Sequence, residues 1–342
     1  MKQSLRIPSV SVHYLNIIAN TLSRMGYPNH DIESRTEGLS EDDYYFNRVP
    51  VEVLFDIWQQ AEQGSQDPMI ALHVGERIHP MDYGLLGQLM MNCSNIEEAL
   101  QRILSVEFVL NNAFASQVIL EDDKAINRIF CHQYGPEQMR HVAEQDISAL
   151  INIGVFIMNR DYTQENRPLE VHFRHAPQGP VSEYERALRC PVKFNQEYNQ
   201  VTFPQSILQT RTYNPSPRIA GLLQAELKSL LDRIEAHDSL AMRMWRYFQT
   251  QPADNQPDIE RTANHFNLTA RTLQRHLKHE GTSFQDEIKQ YKAMLAKSLL
   301  DVNNSPISQV AFQLGFNDSS AFHKAFKRWT GITPGEYQRS IA

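Results

Sequence analysis

The chain has 342 residues, 41% of them apolar, which is enough for roughly two or three domains with sizeable cores. It contains no run of about 18 uncharged apolar residues, so we expect no membrane span. The N-terminal residues lack a signal-peptide pattern, and the three cysteines (Cys93, Cys131 and Cys190) are widely spaced. These features favour a cytoplasmic protein over a secreted disulfide scaffold.

The formal net charge of −7 is unevenly distributed along the chain. Residues 1–236 hold 20 Lys and Arg against 30 Asp and Glu, whereas residues 237–342 hold 13 against 10. The C-terminal part is therefore mildly basic while the rest of the chain is acidic. Only the C-terminal part is suited by its charge to face a polyanion.

The first 208 residues combine helical and strand patterns. An apolar stripe from Leu54 to Ala61 follows Pro50 and predicts a helix. Ser94 and Glu97 have the spacing of a capping box and predict the start of another helix. Segments rich in β-branched residues predict strands, and the first two form a hairpin around DDK: ASQVILED, AINRIFCHQ, LEVHFRHA and CPVKFNQEYNQVTFP. We therefore expect residues 1–208 to form one α+β domain.

The periodic patterns are interrupted at QTRTYNPSPR, residues 209–218, where two prolines indicate a boundary. The next segment, RIAGLLQAELKSLLDRIE, has apolar residues at helical spacing. It predicts a helix that either connects two domains or contributes to a dimer interface. We assign residues 209–236 to a linker and connecting helix, and residues 237–342 to a separate all-α domain.

The all-α domain contains an internal repeat. Four apolar or small residues recur 48 positions later: Ile259, Ala263, Phe266 and Leu268 correspond to Ile307, Ala311, Leu314 and Phe316. Beyond the turn the offset becomes 49, so that Leu273 corresponds to Phe322 and Lys278 to Lys327. Each copy predicts a short helix, a tight turn and a second helix, which is the helix-turn-helix unit. A long predicted helix over residues 284–300 joins the two copies.

The second helix of each copy has one apolar and one polar side. At 100° per residue, Leu273 and Leu277 point inward in the first copy. In the second copy the inward side contains Phe322, Ala325, Phe326 and Trp329. Thr269 and Asp318 are placed to cap these helices. The polar arcs contain Arg271, Gln274, Arg275 and Lys278 in the first copy, and Ser319, Ser320, His323, Lys324 and Lys327 in the second.

These two polar arcs have the chemistry that reading of the DNA major groove requires. Arg and Lys donate to guanine, Gln pairs with adenine, Ser serves either role, and outer Lys residues contact phosphates. A single such helix is more often an ordinary solvated surface. Two matching copies favour DNA binding, because a rigid connecting helix can present both to successive major grooves about 34 Å apart.

The C-terminal domain resembles the AraC/XylS-type transcription regulators over residues 237–340. The resemblance rests on TARTLQRHLKHEGTSFQDEI, AKSLL and ISQVAFQLGFNDSSAFHKAFKRWTGITPGEY. It implies that Arg271, Gln274 and Arg275 face bases in the first motif, with Lys278 towards the DNA backbone. In the second motif it implies that Ser319, Ser320, His323 and Lys324 face bases, with Lys327 towards the backbone.

The N-terminal part is similar to the arabinose-binding-type sensor domain found in one branch of that family. The similar segments are YGLLGQLMMNCSNIEEALQRI and CPVKFNQEYNQVTFPQSIL. The resemblance implies a domain that senses an effector and mediates dimerisation, but it does not identify the effector. An apolar patch of Met90 and Met91 with Leu85, Leu86 and Leu89 either lines a ligand pocket or packs in the core.

The N-terminal part shows no catalytic or metal-binding pattern. The P-loop, GxGxxG and HExxH motifs are absent from the sequence. His172 and His175 lie three residues apart on a predicted strand and therefore on opposite faces. On a predicted helix, Asp146 turns away from His141 and Glu144. We expect no metal, no cofactor and no enzymatic activity.

The sequence therefore predicts a sequence-specific DNA-binding transcription regulator, an activator by family resemblance, that is controlled by a small metabolite. It predicts a homodimer that binds double-stranded promoter DNA and contacts RNA polymerase. Two alternatives stay open: a ligand-independent regulator controlled by abundance or by a protein partner, and an enzyme domain tethered to DNA. The effector, its pocket and the operator are not predicted.

Overall fold

The computed structural model describes residues 8–28, 45–130, 134–159, 163, 166–236, 239–249, 257–301, 306–316 and 318–341. Contacts divide the chain into two compact units. One comprises Ile7–Phe130 and Glu137–Ile234, and the other includes Glu235–Ala342. The first unit is mixed α and β, and the described part of the second is helical. The predicted fold class is confirmed.

The first unit begins with short elements and ends with a long helix. Its first part contains β1 (Ser9–Ser11), α1 (Val12–Arg24), β2 (Arg48–Pro50), α2 (Val51–Ser65), α3 (Ile70–Gly75), α4 (Leu85–Asn92) and α5 (Ile96–Leu104). Its second part contains β3 (Ala115–Glu121), β4 (Lys124–Phe130), α6 (Arg140–Met158), β5 (Glu170–His172), α7 (Val181–Leu188), β6 (Val192–Lys193), β7 (Asn199–Pro204) and α8 (Pro217–Ala236).

Five of these strands form one sheet in the order β3-β4-β7-β5-β6. Neighbouring strands are antiparallel except β5 and β6, which run parallel. The predicted hairpin is β3–β4, in which Glu121 pairs with Lys124 across a two-residue turn. Asp122 in this turn has a φ of 53°, in the left-handed region that Asp tolerates better than most residues. All four predicted segments contain a strand, but β5 ends at His172, so His175 lies beyond it, and residues 131–133 of AINRIFCHQ lie outside the described residues.

Helix α6 packs closely against α3, and glycine makes the approach possible. A Cβ atom added at Gly75 would lie 2.6 Å from the backbone oxygen of Gln145 and 2.6 Å from Cβ of Ser148. Ser148 Oγ donates a hydrogen bond of 2.9 Å to the backbone oxygen of Leu72. A larger residue at position 75 would therefore separate the two helices.

The helix predicted after Pro50 is α2, and it buries Leu54, Ile57, Trp58 and Ala61 as expected. The capping box predicted for α5 is wrong by one residue. Asn95 Oδ1, and not the Ser94 side chain, accepts a hydrogen bond of 2.8 Å from the backbone N–H of Glu98.

The Glu98 carboxylate accepts in return from the backbone N–H of Ser94, at 2.7 Å. Asn is as strong an N-cap as Ser, so the sequence offers two overlapping boxes. The later start makes Ile96 the first helical residue and buries it.

The segment before α8 belongs to the first unit and is hydrogen-bonded to other parts of it. The backbone oxygens of Thr210 and Asn92 accept from Ile96 and Ser216, at 3.1 and 3.0 Å. Along α8 the buried residues are Ala220, Leu227, Leu230 and Ile234, whereas Ile219 and Leu222 are 46% and 65% exposed. The assignment of residues 209–236 to a separate linker stays a proposal.

The second unit contains two helix-turn-helix copies and a long helix between them. Its helices are α9 (Leu240–Gln249), α10 (Ile259–His265), α11 (Ala270–His279), α12 (Phe284–Asp301), α13 (Ile307–Gln313), α14 (Ser319–Thr330) and α15 (Pro334–Ile341). The copies are α10–α11 and α13–α14, and α12 joins them as predicted. Within the described residues, no helix is both long and apolar enough to span a membrane.

Candidate nucleic-acid interface

In the first helix-turn-helix copy, side-chain caps begin both helices. Asp258 Oδ1 accepts from the backbone N–H of Arg261 at 2.9 Å at the start of α10. Thr269 Oγ1 accepts from the backbone N–H of Thr272 at 3.2 Å at the start of α11. Asn267, in the turn, has a φ of 55°. The predicted cap at Thr269 is confirmed.

The second copy has the same organisation with different residues. Asp318 Oδ1 accepts from the backbone N–H of Ala321 at 2.8 Å and begins α14, which confirms the second predicted cap. Gly315, in the turn, has a φ of 75°. Gly331 ends α14 with a φ of 86°, as is common after a helix.

The inward sides of α11 and α14 are anchored in a shared core. Leu273, Leu277, Phe322 and Phe326 are completely buried. They belong to one cluster of buried apolar residues that also includes residues of α9, α12 and α13. The aromatic residues of α14 therefore hold the helix in place, and both copies are fixed to the same framework.

Polar contacts strengthen this framework where α9 meets α11 and α12. The backbone N–H groups of Leu240 and Ala241 donate to the Glu280 carboxylate, at 2.6 and 3.1 Å. Trp245 Nε1 donates to the buried Glu287 at 2.8 Å. These bonds satisfy the first orphan donors of α9 and a buried carboxylate.

The outward sides of α11 and α14 carry the predicted polar arcs. Seven members of the arcs are exposed: Arg271, Gln274, Arg275, Lys278, Ser320, Lys324 and Lys327. Ser319 and His323 are half-buried. Among the residues that the structure describes, the five arginines and lysines of the arcs form no ion pair. Their charges are therefore available to an external anion.

The histidines and carboxylates of the first unit are engaged with different partners. His172 Nε2 lies 3.3 Å from Glu170, whereas His175 Nε2 lies 3.6 Å from Glu144. His141 Nε2 lies 2.8 Å from Glu62. Glu144 of HVAEQD therefore lies beside His175 of HFRH, whereas His141 faces Glu62 and His172 faces Glu170.

Glu144 is the most unusual of these groups because it is fully buried. Burial raises its pKa to about 8, and Tyr184 Oη donates to it at 2.8 Å. Burial also lowers the pKa of the neighbouring His175 to about 4. At neutral pH these values correspond to a protonated carboxyl group beside a neutral imidazole.

One group of described residues places potential metal ligands close together. Atoms of His73, Glu76 and Glu183 lie within 4.8 Å of one another. Arg186 donates to both glutamates, each at 2.7 Å, so a cation already compensates them. This cluster is therefore an ion-pair network.

The thiols of Cys93 and Cys190 are free and buried. Burial raises the pKa of Cys93 to about 11 and that of Cys190 to about 12. Both are therefore protonated at neutral pH, which opposes nucleophilic reactivity. Cys131 lies outside the described residues.

Two helix-turn-helix copies on one core, each with an exposed polar arc, define a double helix-turn-helix DNA-binding protein. Residues 262–340 match the family described as helix-turn-helix domain. Residues 36–212, more than half of the chain, match the arabinose-binding domain of AraC transcription regulators, N-terminal. The chain belongs to the AraC-type transcription regulators that carry this N-terminal domain.

The chain is also similar to individual transcription regulators. The chain is 26% identical to the ornithine utilization regulator of Pseudomonas aeruginosa over 275 residues, 80% of this chain and 79% of the relative. It is 22% identical to the regulator VqsM of that organism over 287 residues, 79% of this chain and 83% of the relative. The solved structure of the transcriptional regulator CdpR from P. aeruginosa aligns over 96% of this chain and 98% of its own, with 21% identity and a TM-score of 0.46.

Proposed function

We propose that the two polar arcs are the DNA-reading surface of this regulator, each placed in a major groove of promoter DNA. One observation carries the proposal. The same exposed polar arc occurs twice, on helices whose other sides are buried in a common core. An ordinary solvated surface does not require two matching polar arcs. An asymmetric DNA site that is read at two successive major grooves does require them.

The members of the arcs have different roles in this proposal. Arg271, Gln274 and Arg275 contact base edges, because their donors and acceptors suit guanine and adenine. Ser319, Ser320, His323 and Lys324 do the same in the second groove. Lys278 and Lys327 lie one turn further along and contact phosphates, which sets the register of the protein on DNA.

The remaining parts of the proposal concern control. Residues 1–208 bind a small metabolite and form the dimer contact, residues 209–236 link the domains, and residues 237–342 bind DNA. Ile219 and Leu222 of α8 are exposed within residues 209–236, which supports a contribution of this connecting helix to the dimer contact. Effector binding shifts the population of molecules that are competent to bind promoter DNA and contact RNA polymerase in the cytoplasm, with activation as the outcome.

The double substitution Arg275→Ala with Lys324→Ala tests the DNA-reading surface. It removes one base-contacting cation from each arc, and both side chains are exposed. We expect loss of specific retardation of a promoter fragment with an unchanged unfolding transition. The matched control removes two exposed cations of the first unit, Lys124→Ala with Lys193→Ala. Equal affinities of the two double variants would contradict the proposal.

A metabolite screen tests effector control separately. Ligands that bind the folded state raise its melting temperature. We expect at least one metabolite to raise the melting temperature of the full-length chain and to change its affinity for promoter DNA. A protein that responds to none would instead support control by abundance or by a protein partner.

A further inference from the structure

The first unit contains an apolar cavity of about 110 Å³. One wall is the sheet, where Val118, Ala125 and Phe203 come from β3, β4 and β7. The opposite wall is formed by α5 and α6. Met90, from the apolar patch noted in the sequence, also lines the cavity, whereas Leu86 and Leu89 of that patch are buried in the core.

Helix α6 presents one continuous stripe to this cavity. Leu150, Ile153, Gly154 and Ile157 lie at the i, i+3, i+4 and i+7 positions of one helix face, and all four line the cavity. Gly154 contributes no side chain in the middle of this stripe. Glycine inside a helix lowers its stability relative to alanine. At position 154 it also leaves space in the cavity that a side chain would fill.

Asn127 is the one polar side chain among the described residues that line the cavity. It is only 8% exposed, and its amide makes no hydrogen bond to any residue that the structure describes. In the sheet its register partners are Val118 and Val201. An amide at the wall of an otherwise apolar cavity has donor and acceptor groups that a ligand can use.

The lining of the cavity excludes several classes of ligand. It contains no charged side chain, so an amino acid or a carboxylate would lose its hydration without gaining a counter-charge. A sugar carries several hydroxyl groups, and a single amide cannot satisfy them. The volume is of the same order as that of cavities that admit benzene, about 150 Å³.

We propose that this cavity is the effector site of the protein. Its ligand is a small, uncharged compound that is mostly hydrocarbon and carries one hydrogen-bonding group, which pairs with Asn127. This inference rests on the proposed function in one respect, namely that the N-terminal unit controls the regulator through a small molecule.

Phenol and toluene test this inference because they have the same size and differ by a hydroxyl in place of a methyl group. Calorimetric titration of the full-length chain without DNA is expected to show binding of both compounds. L-Arabinose and L-ornithine, titrated in the same way, are expected to show none. Absence of binding by phenol and toluene at their solubility limits would overturn the proposal.

Two substitutions test whether the compounds bind inside the cavity. Gly154→Leu fills the space beside α6. It is expected to lower the binding affinity for both compounds at least about tenfold. Asn127→Leu keeps the branching of the side chain at Cγ but removes the amide. This variant is expected to lower the affinity for phenol about five- to tenfold, which corresponds to the loss of one hydrogen bond. Its affinity for toluene is expected to change less than about twofold.

The result of each variant decides one part of the proposal. If a folded Gly154→Leu protein still bound both compounds with unchanged affinity, the compounds would not bind in this cavity. Should Gly154→Leu fail to fold, Ala99→Val fills the cavity from α5 and decides the same point. An equal effect of Asn127→Leu on phenol and toluene would overturn the role of Asn127.

The failure of this proposal and that of the proposed function are distinguishable. A chain that binds neither phenol nor toluene but retards promoter DNA through Arg275 and Lys324 overturns only the cavity assignment. A chain that binds both compounds in the cavity but shows no dependence of DNA retardation on the two polar arcs overturns only the DNA-reading surface.

Discussion

Asn267 and Gly315 occupy the same position in the two helix-turn-helix turns, 48 residues apart, and both have a positive φ, of 55° and 75°. Each residue lies between two helices that must change direction within a few residues. The left-handed conformation achieves this change, and it favours Gly and Asn over other residue types. The repeat seen in the sequence is thus also a repeat of backbone conformation.

Gly315→Ala is expected to destabilise the second unit by about 1–2 kcal/mol, because a Cβ atom is unfavourable at positive φ. The matched control is Gly335→Ala in α15, where an added Cβ has only ordinary contacts at 3.8 Å. The control is expected to be neutral or slightly stabilising. Chemical denaturation of both variants measures the difference, and equal stabilities would show that the turn tolerates a side chain.

Phe326→Ala and Lys324→Ala are expected to affect DNA binding for different reasons. Phe326 is fully buried, so its truncation should cost about 3–5 kcal/mol of unfolding free energy. Lys324 is exposed, and its loss should weaken DNA binding while the unfolding transition is unchanged. Thermal unfolding and gel retardation of both variants separate the two effects. A destabilised Lys324→Ala protein would place this lysine in the core framework instead.

Lys278 and Lys327 should contribute to DNA binding mainly through counterion release. Lys278→Ala and Lys327→Ala should each reduce the slope of log affinity against log salt by about one. The loss of affinity should be similar for specific and unrelated DNA. Gln274→Ala, the control, should leave the slope unchanged and relax the preference at one base position. A sequence-dependent loss in Lys278→Ala would move this residue to the base-reading set.

The buried Glu144 should make the first unit less stable as the pH rises. Its pKa is raised to about 8 in the folded protein, above its usual value of about 4.5, so folding favours the protonated carboxyl group. The contribution is fully present below pH ~4.5 and is lost as the pH rises towards 8, because the unfolded chain releases the proton first.

Glu144→Gln keeps a neutral group in the same place and removes this dependence. The variant should match the original protein near pH 5 and exceed its stability near pH 8 by on the order of a few kcal/mol. His175, whose pKa is lowered to about 4, opposes the trend at low pH, but it is present in both proteins. Denaturation curves at several pH values measure the difference. A constant difference between the two proteins would contradict a raised pKa.

The sequence alone predicted most of the architecture because the relevant signals are local. The strands of the hairpin are rich in β-branched residues on both sides of a short polar turn, the helices of the second unit follow a period of 3.6, and Thr269 and Asp318 cap the helices they precede. Apolar periodicity and caps are decided by residues a few positions apart. The N-cap of α5 was predicted one residue too early for the same reason. Ser94 and Asn95 are both good N-cap residues with a glutamate three positions later, so local sequence does not distinguish them.

The candidate DNA-reading surface was also accessible from the sequence. The inward and outward sides of α11 and α14 follow from helical geometry, and the internal repeat distinguished a duplicated surface from a single solvated helix. The structure adds that the arc residues are exposed or half-buried and that one core holds both helices.

Tertiary structure alone decided the cavity and the buried polar groups. Asn127 stands in the strand sequence KAINRIF as an ordinary polar residue, and Glu144 stands in a helix as an ordinary acid. Their burial depends on α5, α6, α7 and the sheet, which are distant in sequence. Local periodicity determines which side of an element is apolar, but the depth of a polar side chain depends on what packs over it.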